Sequence, residues 1–240
     1  VDIPPFDSYG ENSVRSMSKI QKITSLNMQK NWLNVPHVTQ FDNADITDLE
    51  EFRGKHKNSA LEKGIKLTPV AFVIKAVAIA LQDNPEFNRS PLNDRDNSVQ
   101  KEYVNIGMAV DTEKGLFVPV INSADKMGVW EIAKNVLDMA DKARNGALTP
   151  NEMQGGCFTV SSLGAIGGNG FTPIVNSPEI GILGVSKAQI KPVWIDSEFV
   201  PRLMLPLSLS YDHRLINGGN AGKFLTSIVR LLSDVRTMIL

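Results

Sequence analysis

The stretch "RLMLPLSLSYDHRLINGGNAGKF", residues 202–224, joins an alternating segment to a capped helix through one charged loop. Its leucines recur at every second position, which is the period of a strand with two different faces: Leu203, Leu205, Leu207 and Leu209. Pro206 lies inside this run and cannot donate a ladder hydrogen bond, so it predicts a bulge or a sheet edge. Asn217, followed by two glycines, is a good helix N-cap. The predicted order is therefore strand, loop, helix.

The rest of the chain mixes strands and helices without strict alternation, which favours an α/β (α+β) fold with helices packed on a mixed sheet. Apolar spacing and caps predict helices over 14–32, from Asp45 through Phe52, from Thr68 to Asn84, over 126–145 and over 221–240. The predicted strands are "PHVTQFDNADI", "YVNIGMAV", "LFVPVI", "CFTVSSLG" and "IGILGVSKAQ". Residues 1–12 contain two prolines and no apolar period, so we expect a linker end or arm there and one domain over 13–240.

Composition and charge limit which partners, cellular compartment and metal sites are expected. The 240 residues are 42% hydrophobic, enough for a substantial core, and the net charge of -1 gives no electrostatic case for nucleic acid or a membrane as the main partner. The single cysteine, Cys157, excludes an intrachain disulfide and fits a reducing compartment such as the cytoplasm. No cluster with metal-ligand spacing is present, so we expect no metal site.

His213 is one of only three histidines and lies between Asp212 and Arg214. The N-terminus of the following helix disfavours an imidazolium, and an ordinary histidine pKa of about 6.5 suits a general base at neutral pH. The alternative is a histidine that only satisfies buried hydrogen bonds. Asn217 has the same two readings, as a helix cap or as an amide that supports the histidine loop or donates to a substrate.

Three further groups are weaker candidates. Ser161 and Ser162 end a predicted strand and point to opposite faces, and spacing alone does not choose between them as a hydroxyl donor. Cys157 is a poor nucleophile because its apolar neighbours predict burial and no positive charge is near it in sequence. The basic run "RGKHK" carries Arg53 and Lys57, which are either a solvated helix end or contacts for the phosphates of a nucleotide-bearing substrate.

The chain resembles the catalytic cores of dihydrolipoyl acyltransferases, the central subunits of 2-oxo acid dehydrogenase complexes, and most of all the bacterial pyruvate dehydrogenase type. The segments that carry the resemblance cover nearly everything after residue 13: "NWLNVPHVTQFDNADITDLE", "KLTPVAFVIKAVAIAL", "NIGMAVDTEKGLFVPVI", "MQGGCFTVSSLG", "NSPEIGILGVSKAQIKPVW" and "PRLMLPLSLSYDHRLING". The resemblance implies the chloramphenicol-acetyltransferase-like two-layer sandwich, and a homotrimer with active sites between subunits. It also implies assembly of the trimers into a larger symmetric core, with 24 copies favoured.

The resemblance further implies that His213 is the general base and that Ser161 donates to the oxyanion. The reaction would move an acetyl group between the dihydrolipoyl-lysine arm of a lipoyl domain and coenzyme A as substrate. Upstream domains that are absent from this chain would carry the lipoyl group and bind the decarboxylase and dihydrolipoyl dehydrogenase subunits. Three alternatives remain: a 2-oxoglutarate or branched-chain acyltransferase, a small-molecule (antibiotic) acetyltransferase of the same fold, and a scaffold without activity.

One position departs from the usual family pattern DHRxxDG, because Asn217 replaces its aspartate. In related enzymes an arginine of the first helix can pair with that aspartate, and Lys19 is the matching position here. We therefore expect an Asn217–Lys19 pair, which keeps a hydrogen bond but supplies no negative charge.

Overall fold

The computed structural model describes residues 5–94 and 96–238, apart from the side chain of Ala165. Five helices run over α1 (Lys19–Asn34), α2 (Thr47–Glu62), α3 (Pro69–Asp83), α4 (Val129–Asn145) and α5 (Gly218–Ser233). The strands are β1 (His37–Asp45), β2 (Arg89–Pro91), β3 (Ser98–Gln100), β4 (Ile106–Met108), β5 (Val110–Thr112), β6 (Gly115–Phe117), β7 (Val120–Ile121), β8 (Phe158–Ser162), β9 (Gly181–Val185), β10 (Gln189–Ile195) and β11 (Glu198–Asp212).

One mixed sheet of seven strands organises the molecule, as predicted. Its order is β1-β11-β9-β8-β4-β7, and β10 pairs with the first half of β11. The strands β4, β8 and β9 are parallel to one another, whereas β11 is antiparallel to β1, β9 and β10. Two small hairpins, β2–β3 and β5–β6, lie outside this sheet. The predicted α/β (α+β) fold class is thus confirmed.

The hydrophobic core lies between one face of the sheet and the helices. Helix α3 is buried on nearly all sides, as its continuous apolar sequence predicts. The strands contribute alternate residues to the same core, because successive side chains of a strand point to opposite faces: Phe158, Val160, Leu183, Leu207 and Leu209. Burying one such side chain stabilises the fold by about 2 kcal/mol.

Pro206 produces neither a bulge nor a sheet edge, so that prediction was wrong. The register between β1 and β11 runs without an insertion from Asp45↔Met204 to His37↔Asp212, with Pro206 opposite Asn43. On its other side β11 pairs with β10 up to Met204 and with β9 from Leu207 onward. Pro206 therefore lies where β11 changes partners, a point at which a missing N–H breaks no ladder bond.

Helix boundaries differ from the predicted ones where capping decides them. Helix α1 begins at Lys19 rather than at residue 14, because Ser18 and Gln21 form a reciprocal capping box. Helix α5 begins at Gly218 and ends at Ser233, and a short 3-10 turn follows over Val235–Met238. The last two residues of the predicted helix over 221–240 lie outside the described residues.

Two strand predictions were too simple. "YVNIGMAV" and "LFVPVI" each divide, so that β4 and β7 join the main sheet while β5 and β6 form a separate hairpin. Strand β10 was missed, because the predicted strand "IGILGVSKAQ" covers β9 and ends at Gln189, where β10 begins. Within the described residues, the helices are too short or too polar for any of them to span a bilayer.

Candidate active site

His213 lies in a turn whose backbone is held on both sides. The N–H groups of Leu215 and Ile216 each donate to the carbonyl of Asp212 at 3.1 Å, which closes the turn. The N–H of His213 itself donates to the carbonyl of Pro36, also at 3.1 Å. The residue as a whole is exposed in the single chain, so a firmly held backbone presents the imidazole at the surface. Within the single chain, His213 is therefore not a buried histidine.

The flanking charges of the turn bind each other rather than the imidazole. The Asp212 carboxylate is almost completely buried and accepts from the Arg214 guanidinium at 2.6, 2.9 and 3.1 Å. It also accepts from the backbone N–H of Arg214 at 3.0 Å, which ties the residues before and after His213 together. These hydrogen bonds to the Asp212 carboxylate raise the pKa of Arg214 above its ordinary value. The ion pair therefore fixes the turn, and the charges of Asp212 and Arg214 neutralise each other.

Asn217 is the N-cap of α5, as predicted. Its side-chain oxygen accepts from the backbone N–H of Asn220 at 2.9 Å, and the carbonyl of Gly218 accepts from the Gln40 amide at 3.1 Å. The cap fixes where the helix begins and hence where the histidine turn ends.

The expected partner of Asn217 lies elsewhere in the chain. Lys19 is the first residue of α1, and its neighbour Ile20 lies against Gly115 in the β5–β6 hairpin. Only the far end of α1, at Leu33 and Asn34, approaches the histidine turn, and a helix of 16 residues is about 24 Å long. The Asn217–Lys19 pair is therefore not formed within the chain.

The structure places Ser161 on the sheet face opposite the main hydrophobic core. Ser162 lines a cavity with Val160 on the helical side, so alternation turns Ser161 to the other face. There Ser161 lies in a row with Gly184 and Ser208. The ring of Phe171 covers the middle of this row, since a Cβ on Gly184 would lie 2.7 Å from its Cζ. An aromatic ring thus borders the strand position next to the Ser161 hydroxyl.

Ser161 and His213 of one chain are far apart. Ser161 is opposite Gly184, which is opposite Ser208, and His213 lies five positions beyond Ser208, directly after the end of β11. At about 3.4 Å per residue and about 4.8 Å per strand spacing, the two lie about 17 Å apart along the strands and about 10 Å across them. A general base and an oxyanion donor must both reach the same reacting group within hydrogen-bond distance. One chain alone therefore cannot bring both residues to one carbonyl.

The remaining candidates are engaged in the fold or exposed. Arg53 donates to both carboxylate oxygens of Glu50 at 2.8 and 2.7 Å and to the carbonyl of Leu67 at 3.1 Å, so a phosphate would have to compete with these partners. Lys57 is exposed on α2 and stays a candidate without structural support. Cys157 is fully buried, and burial raises its thiol pKa, as expected for a structural cysteine.

Two residues near the predicted site carry no signal in the sequence. Neither Phe171 nor His37 belongs to a motif with catalytic or metal-ligand spacing. Each contacts a segment that is distant in sequence: Phe171 lies against Gly184, and His37 accepts from the N–H of Val175. No local sequence pattern encodes such contacts. An apolar cavity of about 460 Å³ between Phe72, Trp130 and Met238 contains none of the predicted site residues.

Comparison with known proteins agrees with this geometry. The family model "2-oxoacid dehydrogenases acyltransferase (catalytic domain)" matches residues 9–240. The dihydrolipoyllysine-residue acetyltransferase component of the pyruvate dehydrogenase complex of Pseudomonas aeruginosa is 51% identical over 243 residues, which cover 99% of this chain and 44% of that protein. The chain thus spans less than half the length of such relatives.

Three solved structures have folds similar to that of this chain. A structure of dihydrolipoamide acetyltransferase from Azotobacter vinelandii matches with a TM-score of 0.97 and 49% identity, covering 100% of both chains. That enzyme was studied for the role of a serine, a histidine and an asparagine in its catalytic mechanism, and these have the same spacing as Ser161, His213 and Asn217.

The cubic core of a pyruvate dehydrogenase multienzyme complex matches equally well, with a TM-score of 0.97, 50% identity and 100% coverage of both chains. Chloramphenicol acetyltransferase, with a TM-score of 0.54 and 16% identity over 86% of this chain and 94% of that one, shares the fold alone. The predicted chloramphenicol-acetyltransferase-like architecture is confirmed. The chain belongs to the family of 2-oxoacid dehydrogenase acyltransferase catalytic domains.

Proposed function

We propose that this chain transfers an acetyl group between the dihydrolipoyl-lysine arm of a lipoyl domain and coenzyme A. The observation that carries the proposal is His213, which an anchored turn presents at the surface, together with Ser161 and Asn217 at the spacing of the three residues studied in the Azotobacter enzyme. The relatives named above are acetyltransferase components of pyruvate dehydrogenase complexes, which supports acetyl as the acyl group.

The first step would be proton transfer from the thiol of coenzyme A to the imidazole of His213. A free thiol has a pKa of about 8.5, so only a minority is thiolate at neutral pH, and a histidine is a well-matched base. The resulting thiolate attacks the carbonyl carbon of the acetyl thioester. Because the incoming thiolate is itself a good nucleophile, no acyl-enzyme is needed, which fits the burial of Cys157.

The second step would be collapse of the tetrahedral intermediate. In this intermediate, which the attack has formed, the negative charge lies on the former carbonyl oxygen, to which the hydroxyl of Ser161 donates a hydrogen bond. When the bond to the dihydrolipoyl sulfur breaks, the imidazolium of His213 returns its proton to that sulfur. The reaction leaves acetyl-coenzyme A, a dihydrolipoyl thiol and a neutral histidine, so the site is ready for another cycle.

Assembly follows from the separation of the two catalytic side chains. Since Ser161 and His213 lie at opposite ends of the sheet in one chain, we infer a cyclic homotrimer in which each site takes one residue from each of two neighbours. The similarity to a cubic core supports further assembly into 24 copies. Decarboxylase and dihydrolipoyl dehydrogenase subunits would join through domains outside this chain.

The proposal is tested by measuring acyl transfer from acetyl-, succinyl- and isobutyryl-coenzyme A to free dihydrolipoamide. We expect acetyl transfer to be fastest, and His213→Ala to lower it by about 10²–10⁴-fold. His56→Ala is the matched control, because the His56 ring bonds the carbonyl of Phe52 and packs on the Phe52 ring within its own helix, and it should keep normal turnover. Preference for a larger acyl group would reject acetyl specificity, and normal turnover of His213→Ala would reject the mechanism.

A further inference from the structure

His37, at the start of β1, has both ring nitrogens committed to the backbone. Nδ1 lies 2.8 Å from the carbonyl of Val35, and Nε2 lies 2.9 Å from the backbone N–H of Val175. A carbonyl can only accept and an N–H can only donate, so the ring is neutral with its proton on Nδ1 and its lone pair on Nε2. The indole of Trp32 stacks on it, with ring centroids 5.4 Å apart. No nitrogen of this ring is left for proton transfer to a substrate.

His37 lies next to the two residues that hold the backbone of His213, namely Asp212 and Pro36. In the sheet His37 is opposite Asp212, the residue before the catalytic histidine. The residue before His37, Pro36, supplies the carbonyl that accepts from the N–H of His213 at 3.1 Å. Any shift of the start of β1 would therefore move the histidine turn.

The other bond of His37 anchors a long loop. Segment 163–176 leaves β8 directly after Ser162 and crosses the face of the sheet that carries Ser161. Phe171 of this segment lies on Gly184, the neighbour of Ser161, and Val175 near its end packs with Val35 and Ile182. The Val175–His37 hydrogen bond fastens the far end of this loop to β1.

We propose that His37 is a positioning residue for acyl transfer, which locks segment 163–176 and the His213 turn in one geometry through its neutral Nδ1–H tautomer. It acts through Val175 on the loop that borders Ser161, and through β1 on the turn that carries His213. Misplacement of a reacting group by about 1 Å can cost about 10²-fold in rate, so a loosened anchor should lower kcat. The proposal rests on the catalytic roles proposed for those two residues.

Two substitutions separate the bonds of the ring. In His37→Gln the side-chain oxygen takes the place of Nε2 and can still accept from Val175, whereas the bond to Val35 is lost. In His37→Asn the amide takes the place of Nδ1 and can still donate to Val35, but it is too short to reach Val175. We expect His37→Gln to keep kcat within about threefold of wild type and His37→Asn to lose about tenfold or more, with little change in the KM for coenzyme A.

Hydrogen exchange of the Val175 amide, followed by mass spectrometry of the assembled protein, supplies a readout independent of activity. The amide should stay protected in wild type and His37→Gln and exchange faster in His37→Asn, while the thermal unfolding midpoints of the two variants stay close together. Equal turnover in both variants, a better Asn variant, or a Val175 amide still protected in His37→Asn would overturn the proposal. If instead His213→Ala kept its turnover, the proposed function would fail while the exchange comparison still tested the anchor.

Discussion

Ser161 and His213 lie at opposite ends of the same sheet, about 17 Å apart along its strands, because β8 runs antiparallel to β11. Each side chain is nevertheless placed by a well-defined local structure, Ser161 at the end of a parallel strand and His213 in an anchored turn. With the roles proposed above, the chain would contribute one catalytic group at each end. In a cyclic trimer it would serve two different active sites, one with each neighbour.

Mixed trimers should recover activity that neither parent has. If His213→Ala and Ser161→Ala proteins are unfolded, mixed equally and refolded together, about a quarter of the interfaces should combine an intact serine with an intact histidine. Turnover with acetyl-coenzyme A and dihydrolipoamide should rise to about that fraction of the wild-type value if the sites act independently.

The matched control mixes His213→Ala with the double variant His213→Ala/Ser161→Ala, which offers no histidine to any interface and should stay inactive. Trimer formation in both mixtures is checked by light scattering. If the first mixture forms trimers but remains at the average of its two parents, the two residues do not come from different chains and the inferred interfacial site is rejected.

The two serines at the end of β8 should differ sharply in their effect on turnover. Ser161 faces the side of the sheet bordered by Phe171, whereas Ser162 faces a cavity on the helical side. Ser161→Ala should lower kcat by about 10²–10³-fold with little change in coenzyme A affinity, as for a donor that acts mainly in the transition state. Ser162→Ala should cost far less, and a reversed order in steady-state kinetics would show that the wrong face was chosen.

The sequence predicted that Ser161 and Ser162 lie on opposite faces of β8 and that Asn217 caps α5, because both features are local, but it left open which serine faces away from the core. Alternation along a strand and an Asn-Gly-Gly start of a helix follow from residues next to each other. It could not predict the place of Pro206, because that depends on where β10 ends and β9 begins. It also missed His37 and Phe171, whose partners lie more than ten positions away in sequence and are chosen by the tertiary fold.

Substitutions at Asn217 should separate its capping role from a role for charge. Aspartate caps a helix as well as asparagine does, and a helix N-terminus favours its negative charge, so Asn217→Asp should keep the wild-type unfolding midpoint and a kcat within about tenfold. Asn217→Leu loses the bond to the N–H of Asn220 and should destabilise the chain by about 1 kcal/mol. It should also lower kcat because the histidine turn ends at this cap. Wild-type stability and turnover in the Leu variant would exclude both roles.

Glu179 should make the folded state sensitive to pH near neutrality. Its carboxyl group is almost completely buried, and burial raises its pKa from 4.5 to about 7, despite hydrogen bonds from Thr159 at 2.6 Å and from Asn176 at 3.3 Å. The folded state therefore holds a proton that the unfolded chain releases at lower pH. The stabilisation by this proton is complete below about pH 4.5 and is lost as the pH rises through about 7.

Glu179→Gln removes this titration while keeping the size of the side chain. We expect the thermal unfolding midpoint of the wild type to fall between pH 5 and pH 8 by about 5 °C more than that of Glu179→Gln, because each pKa unit corresponds to about 1.4 kcal/mol. Glu102→Gln, at an exposed position next to Lys101 in the sequence, is the control and should follow the wild type. Parallel pH curves for Glu179→Gln and the wild type would mean that Glu179 is already ionised in the folded protein at pH 5. The buried Lys101 would then be the group that compensates it, because its ammonium is also close to Glu179 and has no hydrogen-bond partner among the described residues.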